Sequence, residues 1–408
     1  MPKKVVLAYS GGLDTSVAIK WIQENYGLDV VALTIDLGSE RDLPSIRQRA
    51  LDVGAVDAKV VDGRDLFLEH FAFPALQAGA MYEREYPLAT AIGRPLIAKL
   101  LVDVAHEVGA KAVAHGCTGK GNDQVRLDVS VTALDPELKI IAPVREWKLS
   151  RPAEIEYARQ NNIPIPASVN SPYSTDVNLW GRSIEAGILE DPWVEPPAEV
   201  WLWTKNPEDA PNKPEFIEID FENGIPVALN GEAMGGVTLV QKLNDLAGEH
   251  GIGRIDHVEN RLVGIKSREI YESPAAVVLH QAHFALEDMC LSRDQARFKA
   301  TVAHQISEMI YNGLWFSSLH QDLRAFVQSS QRNVVGTVRL KFFKGTSMIV
   351  GRKSPKSLYR YELATYDEAD SFDSDAALGF IKLWGLPLQT QAKYQLGGGD
   401  TDLPKLIG

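Results

Sequence analysis

Ala8-Tyr9-Ser10-Gly11-Gly12-Leu13-Asp14-Thr15-Ser16 joins a short apolar run, Val5 to Ala8, to a stretch with helical spacing. At such a junction the amides of Gly11 and Gly12 can approach an anion with no Cβ in the way. The hydroxyls of Ser10, Thr15 and Ser16 would add donors beside the positive end of the helix. The chemistry expected of this loop is the grip of phosphate oxygens. A bare Ser-Gly-Gly is more often a tight turn with a helix cap, and it is the nine consecutive fitting residues that favour phosphate. The loop is not a Walker A loop: Gly119-Lys120 is followed by Gly121, and Ala114 stands where the first glycine is required. The nicotinamide fingerprint is also missing.

A second cluster runs His115-Gly116-Cys117-Thr118-Gly119-Lys120-Gly121-Asn122-Asp123-Gln124-Val125-Arg126 and follows another apolar run. Open α/β sheets place ligands at the carboxyl ends of their strands, where this cluster would sit. Further polar groupings follow the same pattern of short motifs: Tyr86-Pro87-Leu88-Ala89-Thr90, then Asn178 to Gly187, then Val258-Glu259-Asn260-Arg261 and Gly264 to Glu272. Arg126, Asn122, Thr118, Asp123 and Glu259 supply both donors for a carboxylate and acceptors for an ammonium group, as an amino-acid substrate requires.

The first loop resembles the pyrophosphate loop of the N-type ATP pyrophosphatases, which cleave ATP between its α and β phosphates. With the other motifs in the same order, nearly the whole chain is similar to the argininosuccinate synthase family. That resemblance implies a carbon–nitrogen ligase of arginine biosynthesis: ATP adenylates citrulline on its ureido oxygen, and aspartate then displaces AMP, with pyrophosphate and argininosuccinate as the other products. It implies ATP against Ala8 to Ser16, with Ile35 near the adenine or ribose and Gly116 giving a backbone contact. Citrulline would be held by Tyr86, Asn122, Arg126, Ser174, Ser183, Glu259 and Tyr271, and aspartate by Tyr86, Thr90, Thr118, Asn122 and Asp123. Asp14, Asp123 and Arg126 are the candidate catalytic residues, with Asp123 orienting the aspartate amine and accepting its proton. Mg2+ is implied beside ATP, with no protein metal site, and so is a homotetramer. Ala91 departs from the family, whose members commonly carry Ser there. One neutral hydrogen bond to citrulline, worth about 0.5 to 1.5 kcal/mol, is thereby in doubt.

Taken singly, these residues have plainer readings. Tyr86 and Tyr271 could be packing tyrosines, Ser174 and Ser183 helix caps, and Arg126 and Glu259 surface ion pairs. His115 reads as a structural histidine at a strand end, and Cys117 as a small packing residue with no activating partner. Trp193, Trp201 and Trp203 read as packing or interface residues. A tRNA-thiolating enzyme would share the first loop but would be expected to show catalytic cysteines and a basic surface. A nucleotide sensor without catalysis would be expected to lose Arg126 or Asp123.

The elements that must position these groups are legible in the periodicity. Strands are expected over residues 5–8, 30–33, 59–61, 112–115 and 139–141, and helices over 15–26, 43–53, 64–80, 92–108 and 151–161. This alternation predicts an α/β fold, a doubly wound parallel sheet, over residues 1–165. Prolines then break the pattern, and an α+β synthetase and multimerisation domain is expected over 166–370. Its strands should include 216–221, 334–343 and 348–351, and a helix should run over 292–311 behind Ser292. Residues 371–408 should form a C-terminal helix and an arm ending in Gly397-Gly398-Gly399-Asp400.

With 408 residues, 45% of them hydrophobic, the chain can bury a core without staples. Its 42 basic and 54 acidic side chains argue against nucleic acid as a partner. Two isolated cysteines exclude a disulfide framework and fit a reducing compartment. No apolar run of membrane-spanning length and no secretory leader can be found, so a cytoplasmic protein without membrane contact is expected.

Overall fold

The computed structural model describes residues 3–39, 41–119, 121–147, 149–165, 171–368 and 370–396. Residues up to Lys356 pack as one compact unit and those from Ser357 as a second.

The first unit opens with β1 (Lys4–Ala8), α1 (Leu13–Tyr26), β2 (Asp29–Asp36), α2 (Leu43–Val53) and β3 (Asp57–Asp62). Next come α3 (Arg64–Phe67), a π turn over Leu68–Ala72 and α4 (Phe73–Ala78). They are followed by α5 (Ala89–Val108), β4 (Ala112–Ala114), α6 (Asn122–Leu134), β5 (Lys139–Ile141), α7 (Pro143–Trp147) and α8 (Arg151–Gln160). The five strands pair in parallel in the order β3-β2-β1-β4-β5. Strand pleating sends alternate side chains to opposite faces. Val5 and Leu7 pack under α1 and α2 with Ile19 and Ile22, while Val6 packs on the other face with Leu101 and Leu127. Both faces are covered by helices, the doubly wound arrangement expected from the sequence.

The remaining elements build two antiparallel sheets. One has the order β11-β12-β7-β6, from β6 (Ser174–Asn178), β7 (Gly181–Glu185), β11 (Arg254–Asn260) and β12 (Lys266–Glu272). The other has the order β10-β9-β8-β13-β14, from β8 (Glu215–Glu222), β9 (Ile225–Leu229), β10 (Glu232–Ala233), β13 (Gly336–Phe343) and β14 (Thr346–Lys353). Between them in sequence stand α9 (Gly236–Glu249), α10 (Pro274–Cys290), α11 (Arg293–Tyr311) and α12 (Ser318–Ser330). Ser292 caps α11 as expected, accepting from the Gln295 amide at 3.3 Å, a cap typically worth about 1 kcal/mol.

Three differences from the sequence expectations have local causes. The helix expected over 64–80 is one helical run widened by the π turn and stopped by Gly79 at φ +71°. Helix α6 was not expected, because its Asn-Asp-Gln start follows two glycines and looks like loop. Ser174 and Ser183 are strand residues rather than helix caps, opposite Glu185 and Asp176 respectively.

The second unit holds α13 (Tyr361–Ala364) and α14 (Ser374–Tyr394), the latter capped by Asp373 on the Ala376 amide at 2.9 Å. The glycine run at 397–399, with Asp400, lies outside the described residues, as does Pro166. No helix among the described residues is long and apolar enough to cross a membrane.

Candidate active site

The first loop leaves β1 with Gly11 at φ +77° and enters α1 through Gly12, which has extended backbone and no side-chain cap. An uncapped N-terminus leaves amide donors free for an anion. The hydroxyls hold the loop's own shape. Ser16 Oγ donates to the Gly12 carbonyl at 2.8 Å and lies 2.9 Å from the Tyr9 hydroxyl, while Ser10 Oγ lies 3.1 Å from Thr15 Oγ1. Arg49 donates to the Gly11 carbonyl at 2.6 Å and pins the turn from α2. Tyr9, Leu13 and Ser16 are buried, so these positions can offer an anion their backbone rather than their side chains.

The second cluster begins where β4 ends. A Cβ on Gly116 would stand 2.9 Å from Thr15 Cγ2, so glycine is what allows the two loops to approach. His115 Nδ1 accepts the Cys117 amide at 3.2 Å, which leaves Nε2 to donate to Asp128 at 2.7 Å. Asp128 also receives Arg145 at 2.8 Å. This is the structural histidine expected from the sequence. Burial and the nearby Asp123 carboxylate push the Cys117 thiol up to about 12, so it is no nucleophile at neutral pH.

Helix α6 carries Asn122, Asp123 and Arg126 on its first turns. Asp123 receives Arg94 of α5 at 2.7 Å and Arg126 at 2.8 Å. Burial alone would raise its pKa, but the two guanidiniums outweigh it and hold the carboxyl at about 2. Arg94 also reaches Asp176 of β6 at 2.6 Å and so ties the parallel sheet's helices to the antiparallel sheet. Arg126 is 4% exposed rather than a surface residue, donates to the Tyr311 carbonyl at 2.8 Å and lies over the Tyr311 ring.

Glu259, 3% exposed, accepts the Tyr271 hydroxyl at 2.8 Å and the Tyr311 hydroxyl at 2.7 Å. Asn122 donates to Tyr311 Oη at 2.8 Å and accepts the Leu262 amide at 2.9 Å. Tyr86 stacks on Tyr271 with centroids 4.1 Å apart, and its hydroxyl accepts the Thr90 amide at 2.9 Å. Burial raises the phenols of Tyr86, Tyr271 and Tyr311, so all three stay protonated.

Strand alternation explains the rest of the constellation. Ser174 and Asp176 share one face of β6, Ser183 and Glu185 that of β7, and Glu269 and Tyr271 that of β12. Register then places Tyr271 beside Ser183 and Ser183 beside Asp176. Arg261 spans the two glutamates, donating to Glu185 and to Glu269 at 2.5 Å. Burial first, then the neighbouring charges of Glu185 and Glu259, raises the Glu269 carboxyl to about 8.

These groups converge on one cavity of about 920 Å³, lined by Ser10 to Gly12, Asp14, Tyr86, Thr90, Asn122, Asp123, Arg126, Ser174, Ser183, Glu259 and Tyr271. A second cavity of about 250 Å³ shares Ser10, Gly12, Asp14, Arg94, Gly116 and Asp176 with it and extends over Ala8, Tyr9, Thr15 and Ile35 to Leu37, Ile97 and Leu127. A polar chamber beside an apolar slot, with the phosphate loop between them, suits a polar substrate next to a nucleotide. Thr118 stands exposed outside both linings, and Ala91 is fully buried behind Thr90.

Sequence reasoning assigned no role to Arg94, Asp176, Glu185, Arg261, Glu269 or Tyr311. Two had a usable signal: Arg94 follows Thr90 by one helical turn, and Asp176 follows Ser174 by one strand period. Among the described residues no group of three His, Cys, Asp or Glu side chains could hold a metal ion.

A family model described as Arginosuccinate synthase N-terminal HUP domain matches residues 4–164, and one described as Arginosuccinate synthase C-terminal domain matches residues 173–391. The argininosuccinate synthase of Dehalococcoides mccartyi (strain ATCC BAA-2266 / KCTC 15142 / 195) is 60% identical over 97% of this chain and 97% of its own. That of Symbiobacterium thermophilum is 59% identical over 96% and 98%, and that of Oceanobacillus iheyensis 55% over 99% and 97%.

Proposed function

This chain belongs to the argininosuccinate synthase family, and we propose from its site that it joins L-citrulline to L-aspartate at the expense of ATP, giving argininosuccinate, AMP and pyrophosphate. The observation that carries the reading is the single cavity in which the phosphate loop meets Asn122, Asp123, Arg126, Glu259 and the Tyr86–Tyr271 stack.

A ureido oxygen is a weak nucleophile, so the site must hold it in line with the α-phosphorus and stabilise charge moving onto the departing pyrophosphate. The free amides at the start of α1 and the loop glycines suit that charge. Ile35 and Gly116 lie in the adjoining slot, which suits the adenosine part. Tyr86, Asn122, Arg126, Ser174, Ser183, Glu259 and Tyr271 surround the volume assigned to citrulline, with Glu259 fitting its ammonium and Arg126 its carboxylate. Thr90, Asn122 and Asp123 border the volume assigned to aspartate. Thr118 would reach that volume only through movement of its loop. A carboxyl held near 2 is a poor proton acceptor. Asp123 therefore orients the attacking amine as an anion, and the proton leaves to another acceptor.

Mg2+ would come with the triphosphate, and Asp14, the loop carboxylate lining the cavity, would have to share or leave its 2.5 Å pair with Arg151 to approach the ion. When bound, the ion would supply charge neutralisation on the phosphates. A nucleotide-binding domain at 1–165, a synthetase domain at 166–370, a C-terminal helix and arm at 371–408, a homotetrameric assembly and a cytoplasmic setting complete the proposal.

The test is an incubation with Mg2+, ATP, citrulline and aspartate, omitting each in turn, with AMP, pyrophosphate and argininosuccinate followed together. Equal AMP and argininosuccinate, dependent on all three substrates and suppressed in Asp123→Ala and Arg126→Ala, is the expected result. AMP without argininosuccinate would point to another acceptor, and formation of ADP or no turnover would overturn the reading.

A further inference from the structure

A separate cavity of about 760 Å³ opens between α4, α11 and α12, sharing no lining residue with the site above. Its wall holds Trp315, 5% exposed, with the His320 ring 4.5 Å away on one side and the Arg324 guanidinium 5.4 Å from the indole centroid. His320 is 1% exposed, and apart from a weak approach to the Trp315 backbone neither of its ring nitrogens has a hydrogen-bond partner among the described residues. An unpartnered buried polar side chain is destabilising unless something completes it. Arg324 is half-buried and, among the described residues, has no ion-pair or hydrogen-bond partner. Burial lowers its pKa, and Glu69, which also lines the cavity, forms no ion pair with it among the described residues. Arg332, at the same cavity, spends its Nε on the Ser329 carbonyl at 3.0 Å and leaves its terminal donors unused. A planar guanidinium fork with open donors matches the oxygens of a carboxylate or phosphate.

We infer that this cavity is a binding site for a small oxyanion, which Arg324 and Arg332 grip while His320 completes the inner wall. Its size lies within the range of small-molecule pockets. The inference reaches beyond the ligase reaction and does not depend on it.

Inorganic phosphate and succinate, titrated separately into the intact protein by calorimetry, distinguish the two sources of oxyanion. Arg324→Gln, Arg332→Gln and wild type are compared, with the mass of the assembly measured for each. Saturable binding of either anion that weakens at least tenfold in both variants, at unchanged mass and unchanged citrulline-dependent kcat, is expected. Superimposable isotherms in the three proteins, or no saturable binding in wild type, would overturn the inference. So would a change of assembly mass in the variants, because the arginines would then serve a contact between copies of the chain. Arg332 is exposed, so its variant tests the site even where Arg324→Gln folds poorly.

Discussion

Arg94 and Asp123 form a 2.7 Å ion pair between α5 and α6, and the same Arg94 nitrogen reaches Asp176 on β6 at 2.6 Å. One guanidinium thus fixes the carboxylate assigned to the aspartate amine and the first strand of the wall opposite. Arg94→Ala is expected to lower kcat roughly 100-fold, by loss of orientation. It should also cost about 1 to 3 kcal/mol of stability, because two partly buried carboxylates lose their partner. Arg94→Lys should recover much of the stability and less of the rate. Steady-state kinetics and thermal melts on the two variants check this, and an unchanged kcat in Arg94→Ala would remove Arg94 from the positioning set.

Tyr311 joins three site residues at once through its hydroxyl, its carbonyl and its ring. Tyr311→Phe removes the hydroxyl shared by Asn122 and Glu259 but keeps the ring over Arg126. The citrulline KM should rise at least tenfold, since a factor of ten corresponds to about 1.4 kcal/mol and the hydroxyl makes two hydrogen bonds. The KM for ATP should hold. Initial rates at varied citrulline and varied ATP separate these outcomes.

Gly313 sits just beyond α11 at φ +78°, where an added Cβ would come 2.8 Å from Arg126 Cα. Gly231 has the same φ and open space around it. Gly231→Ala should therefore cost only the left-handed backbone penalty of about 1 to 2 kcal/mol. Gly313→Ala should cost more and also weaken citrulline binding by displacing Arg126. Equal melting temperatures and equal citrulline KM in the two variants would contradict this account.

The Glu269 carboxyl titrates at about 8 in the folded protein against an ordinary value of 4.5. The folded state then holds a proton that the unfolded state has already released, so this group's contribution to stability falls as pH rises from about 4.5 to about 8. Glu269→Gln should resemble wild type near pH 5 and gain on it by roughly 1 to 3 kcal/mol by pH 8, after allowing for the Arg261 pair. Denaturant melts of both proteins at several pH values provide the measurement. A constant difference across that range would place the titrating group elsewhere.

What the sequence by itself determined is what consecutive residues determine. The loop from Ala8 to Ser16 takes its shape from its own glycines and hydroxyls, helix α2 occupies residues 43–53 as its spacing predicts, and unbroken apolar runs along β1 and β2 mark strands covered on both faces. Such features need only local contacts, and local periodicity records them. The α6 start stayed hidden because its polar first turn earns its helix from contacts with Tyr311 and Glu259, far along the chain. The same holds for strands β6 and β7, whose Ser, Asp, Asn, Gly, Arg and Glu residues dilute the β-branched signature and which are held by pairing with one another and with β12. Only the tertiary structure decided that Arg94 would serve Asp123 and Asp176, and that Arg126 would rest on Tyr311, 185 positions away. Only it made Glu259 a buried acceptor and Glu269 a reluctant acid. A side chain's partner and its dielectric surroundings depend on which distant elements pack against it, and no short stretch of sequence contains that information.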